Sequence, residues 1–107
     1  MRYYRYLYIQ EELNAKKEKI LKKLENKKFL MNLHLITLSQ NPQNHLEIHS
    51  SKYLFQPGFP QEHLFIIGIV KGYDDALAFV ERLTQEVYDA TGQLDIRSYI
   101  MRKEQED

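Results

Sequence analysis

The chain has 107 residues, no cysteine, and 15 basic side chains against 15 acidic ones. A chain of this length forms one domain and buries about 65% of its unfolded surface, so it needs neither a disulfide nor a metal to fold. The lack of cysteine excludes disulfides, thiol nucleophiles and iron–sulfur clusters, and it favours a reducing compartment. With 43% hydrophobic and 28% charged residues, the composition is that of a globular domain. We predict a single domain over residues 1–107.

The charge is distributed unevenly along the chain. Residues 1–28 carry nine basic and four acidic side chains, a net charge of +5, and residues 29–107 carry six and eleven, a net charge of −5. Such asymmetry indicates an electrostatic partner. The plainer interpretation is that the basic segment lies against the acidic part of its own chain, or of a second copy.

The amino-terminal residues lack the long apolar core of a signal peptide, since tyrosines and charged residues take its place. The longest apolar run, residues 64–70, has seven residues. A helix that spans a membrane needs about 20. We therefore expect a cytoplasmic protein that does not associate with membranes.

The first predicted element is a helix over residues 11–28. Ile9, Leu13, Ile20 and Leu24 recur at spacings that put them on one face, and the lysines lie on the remainder. Residues 1–9 allow two interpretations: tyrosine and isoleucine favour a strand, whereas the direct run into the helix allows it to begin near Tyr6. We favour the helix and leave residues 1–8 open between the two.

A hairpin and a buried strand follow. Residues 29–38 are apolar and ambiguous, but their second half alternates like a strand, and residues 45–49 alternate cleanly after a turn over residues 41–44. Residues 56–60 form a loop because they contain two prolines and a glycine. Residues 64–70 then read as the central strand, in which Gly68 indicates close approach by another backbone.

The last two predicted elements are a helix and a strand. Residues 74–91 have helical periodicity, with an acidic cap at the start and Gly92 at the left-handed end position. Residues 94–100 alternate, which predicts a strand, and residues 103–107 form a charged, frayed tail. If residues 64–70 and 94–100 are parallel neighbours, the helix between them is a right-handed crossover.

The predicted fold class is therefore α+β, in the order α-β-β-β-α-β, with a sheet of about four mixed strands and two long helices packed on it. The central strand is apolar on both faces, with Ile66 and Val70 on one. The other face carries Phe65, Ile67 and Ile69. Either the first helix or another subunit must cover the second face. We predict a homodimer that associates through this three-residue face.

The sequence offers little for catalysis or cofactor binding, and we predict no cofactor and no enzymatic activity. His34 and His49 are the weak candidates for a metal site, since one hairpin register places them opposite each other; exposed polar residues of a strand are the plainer interpretation. Asp74 and Asp75 point about 100° apart on a helix, so they cap it and do not share a proton. No serine lies in a nucleophile elbow.

The basic amino-terminal segment is the strongest functional lead. Cations neutralise phosphates and tyrosines stack on unpaired bases. The residues predicted to contact a nucleic acid or another charged partner are Arg2, Arg5, Tyr6, Lys16, Lys19, Lys23 and Lys27. The competing interpretation is that the lysines solvate a helix and the tyrosines pack on the sheet. We predict a self-associating binding or assembly module, with nucleic-acid binding or an acidic protein partner as the alternative.

Overall fold

The computed structural model describes residues 1–26, 28, 33–41, 45–54, 56–59 and 61–106. The helices and strands in chain order are β1 (Arg2–Ile9), a 3₁₀ segment (Glu11–Lys16), α1 (Lys17–Glu25), β2 (His34–Leu38), β3 (Leu46–Ser50), β4 (Phe65–Val70), α2 (Tyr73–Thr91) and α3 (Ile96–Glu104). Two short 3₁₀ turns, Ser51–Tyr53 and Gln61–His63, lie between β3 and β4. Within these described ranges, no helix is long and apolar enough to cross a membrane.

The four strands form one mixed sheet in the order β1-β4-β2-β3. β1 runs parallel to its neighbour β4, and β2 runs antiparallel to both β4 and β3. The predicted α+β class, with about four mixed strands and long helices packed on the sheet, is confirmed. The element order agrees only roughly, because both ends of the chain differ from the prediction.

The amino-terminal segment is a strand, so the preference for a helix beginning near Tyr6 is wrong. β1 pairs with β4 from Arg2 opposite Phe65 to Ile9 opposite Ile69. Its tyrosines and isoleucine suit the pleated, half-buried surface of a sheet better than a helix. The helical segment begins only after Gln10, first as the 3₁₀ segment and then as α1.

The carboxyl-terminal segment is a helix, so the strand predicted over residues 94–100 is wrong, as is the parallel crossover built on it. The side chain of Asp95 caps α3: it accepts a hydrogen bond from the amide of Ser98 at 3.1 Å. The buried residues Ile96, Tyr99 and Ile100 recur at the spacing of one helix face. α3 extends through Glu104, two residues into the segment expected to fray.

A β-bulge in the central strand, β4, changes which face of the sheet its later side chains point to. Ile36 of β2 lies opposite Gly68 and Thr37 lies opposite Ile66, so Ile67 is an extra residue in β4. Such a bulge puts the residues after it on the opposite face from the one that strict alternation predicts. As a result Ile69 does not share a face with Phe65, and the predicted three-residue association face does not exist.

The chain itself covers both faces of its sheet. On one face, α2 and α3 pack on a core that includes Phe65, Ile67 and Val70. On the other, the 3₁₀ segment and α1 contribute Leu13, Ile20 and Leu24 to a second core, which includes Ile66 and Ile69. Phe65 is 5% exposed, and Ile67 and Ile69 are fully buried. No second subunit is needed to shelter β4, because the first helix does so.

The other predicted elements are close to those observed. α2 begins one residue earlier than expected, and Gly92 ends it in the left-handed conformation, at φ 74°. The first helix ends at Glu25. Some predicted segments lie outside the described residues: residues 29–32 of the ambiguous apolar stretch, the turn residues 42–44 and the loop residue Pro60.

Candidate interaction surfaces

The two edges of the sheet differ in how well they are covered. At the β1 edge, four residues of β1 lie opposite the single residue Ile67, and this irregular stretch packs against α3. The backbone amide of Arg5 donates to Glu104 Oε1 of α3 at 2.7 Å. At the opposite edge, β3 pairs only with β2. β3 is therefore the regular edge strand of the sheet, and no strand of the described chain lies beyond it.

The hydrogen bonds of the hairpin show which β3 residues point outward. The amide of Ser39 donates to the carbonyl of His45 at 3.0 Å, and the amide of Ser51 donates to the carbonyl of Leu33 at 2.8 Å. Because antiparallel ladders alternate, the odd-numbered residues of β3 face β2. The amides of Leu46, Ile48 and Ser50 and the carbonyls of Leu46 and Ile48 therefore point away from the sheet.

The side chains of β3 divide between the two faces of the sheet. Leu46 and Ile48 are half-buried and pack on the core beneath α2. Glu47 is exposed on the opposite face, where the ring of His49 meets Phe59 edge-on at 5.3 Å between centroids. Burial lowers the pKa of His49, and the nearby carboxylate of Glu47 partly opposes this. The edge thus combines apolar side chains on one face with a carboxylate and an imidazole on the other.

The metal site suggested for His34 and His49 is contradicted by the register of the hairpin. His34 lies opposite Ser50, and His49 lies opposite Leu35. The two histidines occupy positions of opposite parity, so their side chains leave the sheet from opposite faces. His34 instead contacts the carbonyl of Lys71 at 3.3 Å. Among the described residues, no group of three or more potential ligands could hold a metal ion.

The basic residues of the amino-terminal segment divide into two places. The lysine ridge is defined here as Lys16, Lys19, Lys22, Lys23 and Lys28. It runs along the first helical region and just past the end of α1, and all of its lysines but the half-buried Lys23 are exposed. The ridge takes no part in the ion pair found in the described part of the chain, which joins Lys71 and Glu12 at 2.5 Å. Lys27 lies outside the described residues.

Arg2, Arg5 and Tyr6 belong to β1 and contact other parts of the chain. The guanidinium of Arg2 lies 4.2 Å from the centroid of the Phe65 ring, and that of Arg5 lies 5.4 Å from the Tyr6 ring. Tyr6 is 45% exposed, and its hydroxyl lies 3.5 Å from a carboxylate oxygen of Glu106 in the carboxyl-terminal segment. The structure therefore supports the interpretation in which the amino-terminal tyrosines pack on the sheet. Tyr4 belongs to the core beneath α2, and Tyr8 packs against that core.

A cleft of about 690 Å³ lies between the end of β1 and α2. It stands at the carboxyl ends of the parallel strands β1 and β4, whose following helices pack on opposite faces of the sheet. Open α/β sheets bind ligands at such positions. The lining residues are Tyr8, Ile9, Gln10, Glu11, Glu12, Val70, Asp75, Ala78, Phe79, Glu81, Arg82, Leu83 and Glu86.

The carboxylates of the cleft are largely engaged within the protein. Glu12 pairs with Lys71, and Asp75 accepts a hydrogen bond from the amide of Gly72 at 3.2 Å. Glu86 Oε2 accepts from the hydroxyls of Tyr8 at 2.6 Å and Tyr99 at 2.9 Å. The described lining contains no histidine, serine or threonine.

The chain matches no family model, and neither the curated proteins nor the solved structures contain a significant match. The open edge of β3 could not be predicted, because alternation shows neither the order of the strands nor which backbone groups of a strand point outward. Nor could the sequence predict the contact of Tyr8 with Glu86, which joins residues 78 positions apart.

Proposed function

We propose that the protein is a small binding and assembly module that acts as a homodimer, and that it is not an enzyme. The open edge of β3 carries this proposal. An edge strand with free amides and carbonyls is a template for pairing with another chain. Proteins commonly bind partners by adding a strand to such an edge, where main-chain hydrogen bonds supply affinity.

A second copy of the chain is the partner that fits this edge best. Each copy presents the same strand, so one twofold axis satisfies both edges and the assembly closes as a dimer. Pairing also covers Leu46 and Ile48, which the single chain leaves half-buried. The rest of the sheet offers no comparable surface, since both of its faces are covered and the β1 edge packs against α3.

Ser50→Pro tests this proposal directly. Ser50 already has φ −71°, close to the value that proline requires. Its amide points outward, so proline removes a donor from the open edge and leaves the β2–β3 ladder intact. Ser50→Ala keeps the amide and serves as the matched control.

The mass in solution, measured by light scattering across micromolar concentrations, gives the answer. We expect the parent chain and Ser50→Ala to be dimers and Ser50→Pro to be a monomer with an unchanged circular dichroism spectrum. A parent chain that is monomeric at every concentration contradicts the proposal. A Ser50→Pro variant that remains a dimer excludes every pairing of β3 that uses the Ser50 amide.

A second candidate function, nucleic-acid binding, is supported by the lysine ridge. Lys19, Lys22 and Lys23 fall within a sector of about 100° on α1, which would let one phosphate backbone contact all three. The ridge has no ion pair within the described chain, so its charges are free for a partner. Tyr4 is buried and Tyr8 is half-buried against the core beneath α2, which weighs against base stacking by this segment.

A gel shift at low salt tests this second function with single- and double-stranded probes. The variant Lys19→Glu/Lys23→Glu should abolish retardation, and Lys52→Glu, which changes an exposed lysine elsewhere, should retain it. Added salt should weaken binding steeply because phosphate contacts release counterions. If no probe is retarded by the parent chain, nucleic-acid binding is excluded and an acidic protein is left as the ridge's partner.

A further inference from the structure

The backbone of β3 restricts how two copies can pair. In an antiparallel pair, hydrogen bonds form between residues whose amides and carbonyls point out of each strand. On β3 these are Leu46, Ile48 and Ser50, so a twofold axis that pairs at least two of them per strand must pass through residue 47, 48 or 49. Three registers therefore satisfy the geometry of the edge.

The backbone alone ranks these registers only in part. Ser50 is the N-cap of the 3₁₀ turn that follows β3, so its carbonyl is directed into that turn. An axis at residue 49 relies on Ser50 for both of its hydrogen-bonded pairs and is the poorest of the three. An axis at residue 47 pairs Leu46 with Ile48 twice. An axis at residue 48 pairs Ile48 with Ile48 and lets each Ser50 amide donate to the carbonyl of Leu46, so the side chains must decide between these two axes.

The side chains favour the axis at residue 48. An axis at residue 47 places Glu47 opposite Glu47 of the other copy, and like charges directly opposite each other destabilise a sheet. An axis at residue 48 instead places Glu47 opposite His49 of the other copy, twice per dimer. These are non-hydrogen-bonded pairs, in which the Cα atoms lie about 4.5 Å apart and the side chains are closest.

The opposite face of the strand is also self-complementary about this axis. Ile48 then lies opposite Ile48 of the other copy, on the side where it already packs on the core beneath α2. Leu46 lies opposite Ser50, whose small side chain leaves room for it. One register thus joins apolar side chains on one face and places a carboxylate opposite an imidazole on the other.

We propose that two copies pair antiparallel through β3 about a twofold axis at Ile48, which joins their two four-stranded sheets into one continuous sheet. This inference rests on the proposed self-association and adds the partner, the register and the cross-strand contacts of Glu47 and His49. It identifies the interface as a second copy of this chain bound strand to strand.

The lack of cysteine in the parent chain allows a clean cross-linking test. We expect an equimolar mixture of Glu47→Cys and His49→Cys to form a disulfide between the two variants on mild oxidation. The Cα separation of about 4.5 Å lies within the range that disulfides span. Isotope labelling of one variant lets mass spectrometry separate mixed from like pairs.

Each variant oxidised alone provides the control for register. Glu47→Cys alone should remain reduced, and its cross-linking would place the axis at residue 47. His49→Cys alone should also remain reduced, and its cross-linking would place the axis at residue 49. Either result overturns the proposed register.

The unaltered chain gives an independent measurement. In a mixed dimer of labelled and unlabelled copies, isotope-filtered NMR should detect contacts between the methyl groups of the two Ile48 side chains. A dimer without these contacts and without the mixed disulfide overturns this inference but leaves the proposed self-association standing. A monomeric parent chain contradicts the proposed function itself.

Discussion

At the scale of single residues, Glu86 joins three elements of the fold. Its Oε2 atom accepts hydrogen bonds from Tyr8 of β1 and Tyr99 of α3, while Glu86 itself belongs to α2. Tyr4 lies in the same region and is 2% exposed, yet its hydroxyl has no hydrogen-bond partner among the described residues. These two tyrosines of β1 therefore contribute to stability in opposite directions. The Tyr8 hydroxyl forms a stabilising hydrogen bond, whereas burial of the unpaired Tyr4 hydroxyl is destabilising.

Removing each hydroxyl should separate these contributions. We expect Tyr8→Phe to lower the free energy of unfolding by about 1 kcal/mol, the typical net value for a hydrogen bond at a partly exposed site. Tyr4→Phe should leave stability unchanged or raise it, because it deletes an unsatisfied buried donor. Urea denaturation measures both, with Tyr88→Phe, at an exposed position, as the control. Equal losses for Tyr4→Phe and Tyr8→Phe would refute the distinction.

The sequence could place these residues on a face but could not identify their partners. Tyr8 and Glu86 are far apart in the chain, and only the observed packing of α2 and α3 against β1 brings them together. The same limit applies to His34 and His49, which are close in one hairpin register and on opposite faces in the observed one. A shift of one residue in register decides such questions.

At the scale of elements, the bulge in β4 sets the packing of α2. Gly68 lies opposite both Ile36 and Tyr8. A Cβ atom at this position would lie 3.0 Å from Cζ of Phe79 and 3.4 Å from the carbonyl oxygen of Tyr8. The glycine expected to mark close approach by another backbone is thus approached most closely by an aromatic ring of α2.

Gly68→Ala should therefore destabilise the protein. The Phe79 ring must move to admit the methyl group, and overpacking of this kind costs about 1–3 kcal/mol. In the Phe79→Leu background, the same change should cost less, because the ring that blocks the methyl group is gone. Thermal unfolding of the four variants in this double-mutant cycle gives the coupling between the two sites. Additive effects would contradict the proposed contact.

Two elements, β4 and α2, were predictable because their patterns are unambiguous. Residues 64–70 are apolar throughout, and α2 has both helical periodicity and a glycine stop. α3 was mistaken for a strand because Leu94, Ile96 and Ser98 alternate, whereas the cap by Asp95 makes Ser98 part of the first helical turn. In a segment this short, one local hydrogen bond outweighs the pattern.

At the scale of the whole molecule, ionisation of tyrosines makes the stability of both cores depend on pH. Burial raises the pKa of Tyr3 and of Tyr99 to about 12, and it also raises the pKa values of Tyr4 and Tyr8. Tyr3 packs against the core beneath α1, and the other three belong to the side of α2 and α3. Ionisation of these phenols therefore opposes folding on both faces of the sheet.

Stability should consequently fall on the alkaline side. Each of these tyrosines has a folded pKa above the unfolded value of about 10, so the folded state holds more protons between the two values. The contribution of the protonated tyrosines to the free energy of unfolding is complete below about pH 10 and is lost as the pH rises towards 12. Urea midpoints at increasing pH should show this fall, and it should be smaller for Tyr99→Phe. A midpoint that does not change up to pH 11 would contradict this prediction.

Acidic and basic side chains also lie on opposite sides of the molecule. α2 carries Asp74, Asp75, Glu81, Glu86 and Asp89 against Arg82, whereas the lysine ridge lies on the other side of the sheet. The sequence showed this asymmetry between its parts, but it could not show that a layer of strands lies between them. Nor could it show which strand would be left at the edge, since the order of strands depends on contacts between distant segments.

The parallel pairing of β1 with β4 has a consequence for synthesis on the ribosome. Arg2 is opposite Phe65, so during synthesis β1 has no neighbour to pair with until β4 has been made. Until then, its apolar side chains have no sheet to join. Closing so long a loop costs entropy before any contact forms. The sheet can therefore form only after β4 has also been synthesised.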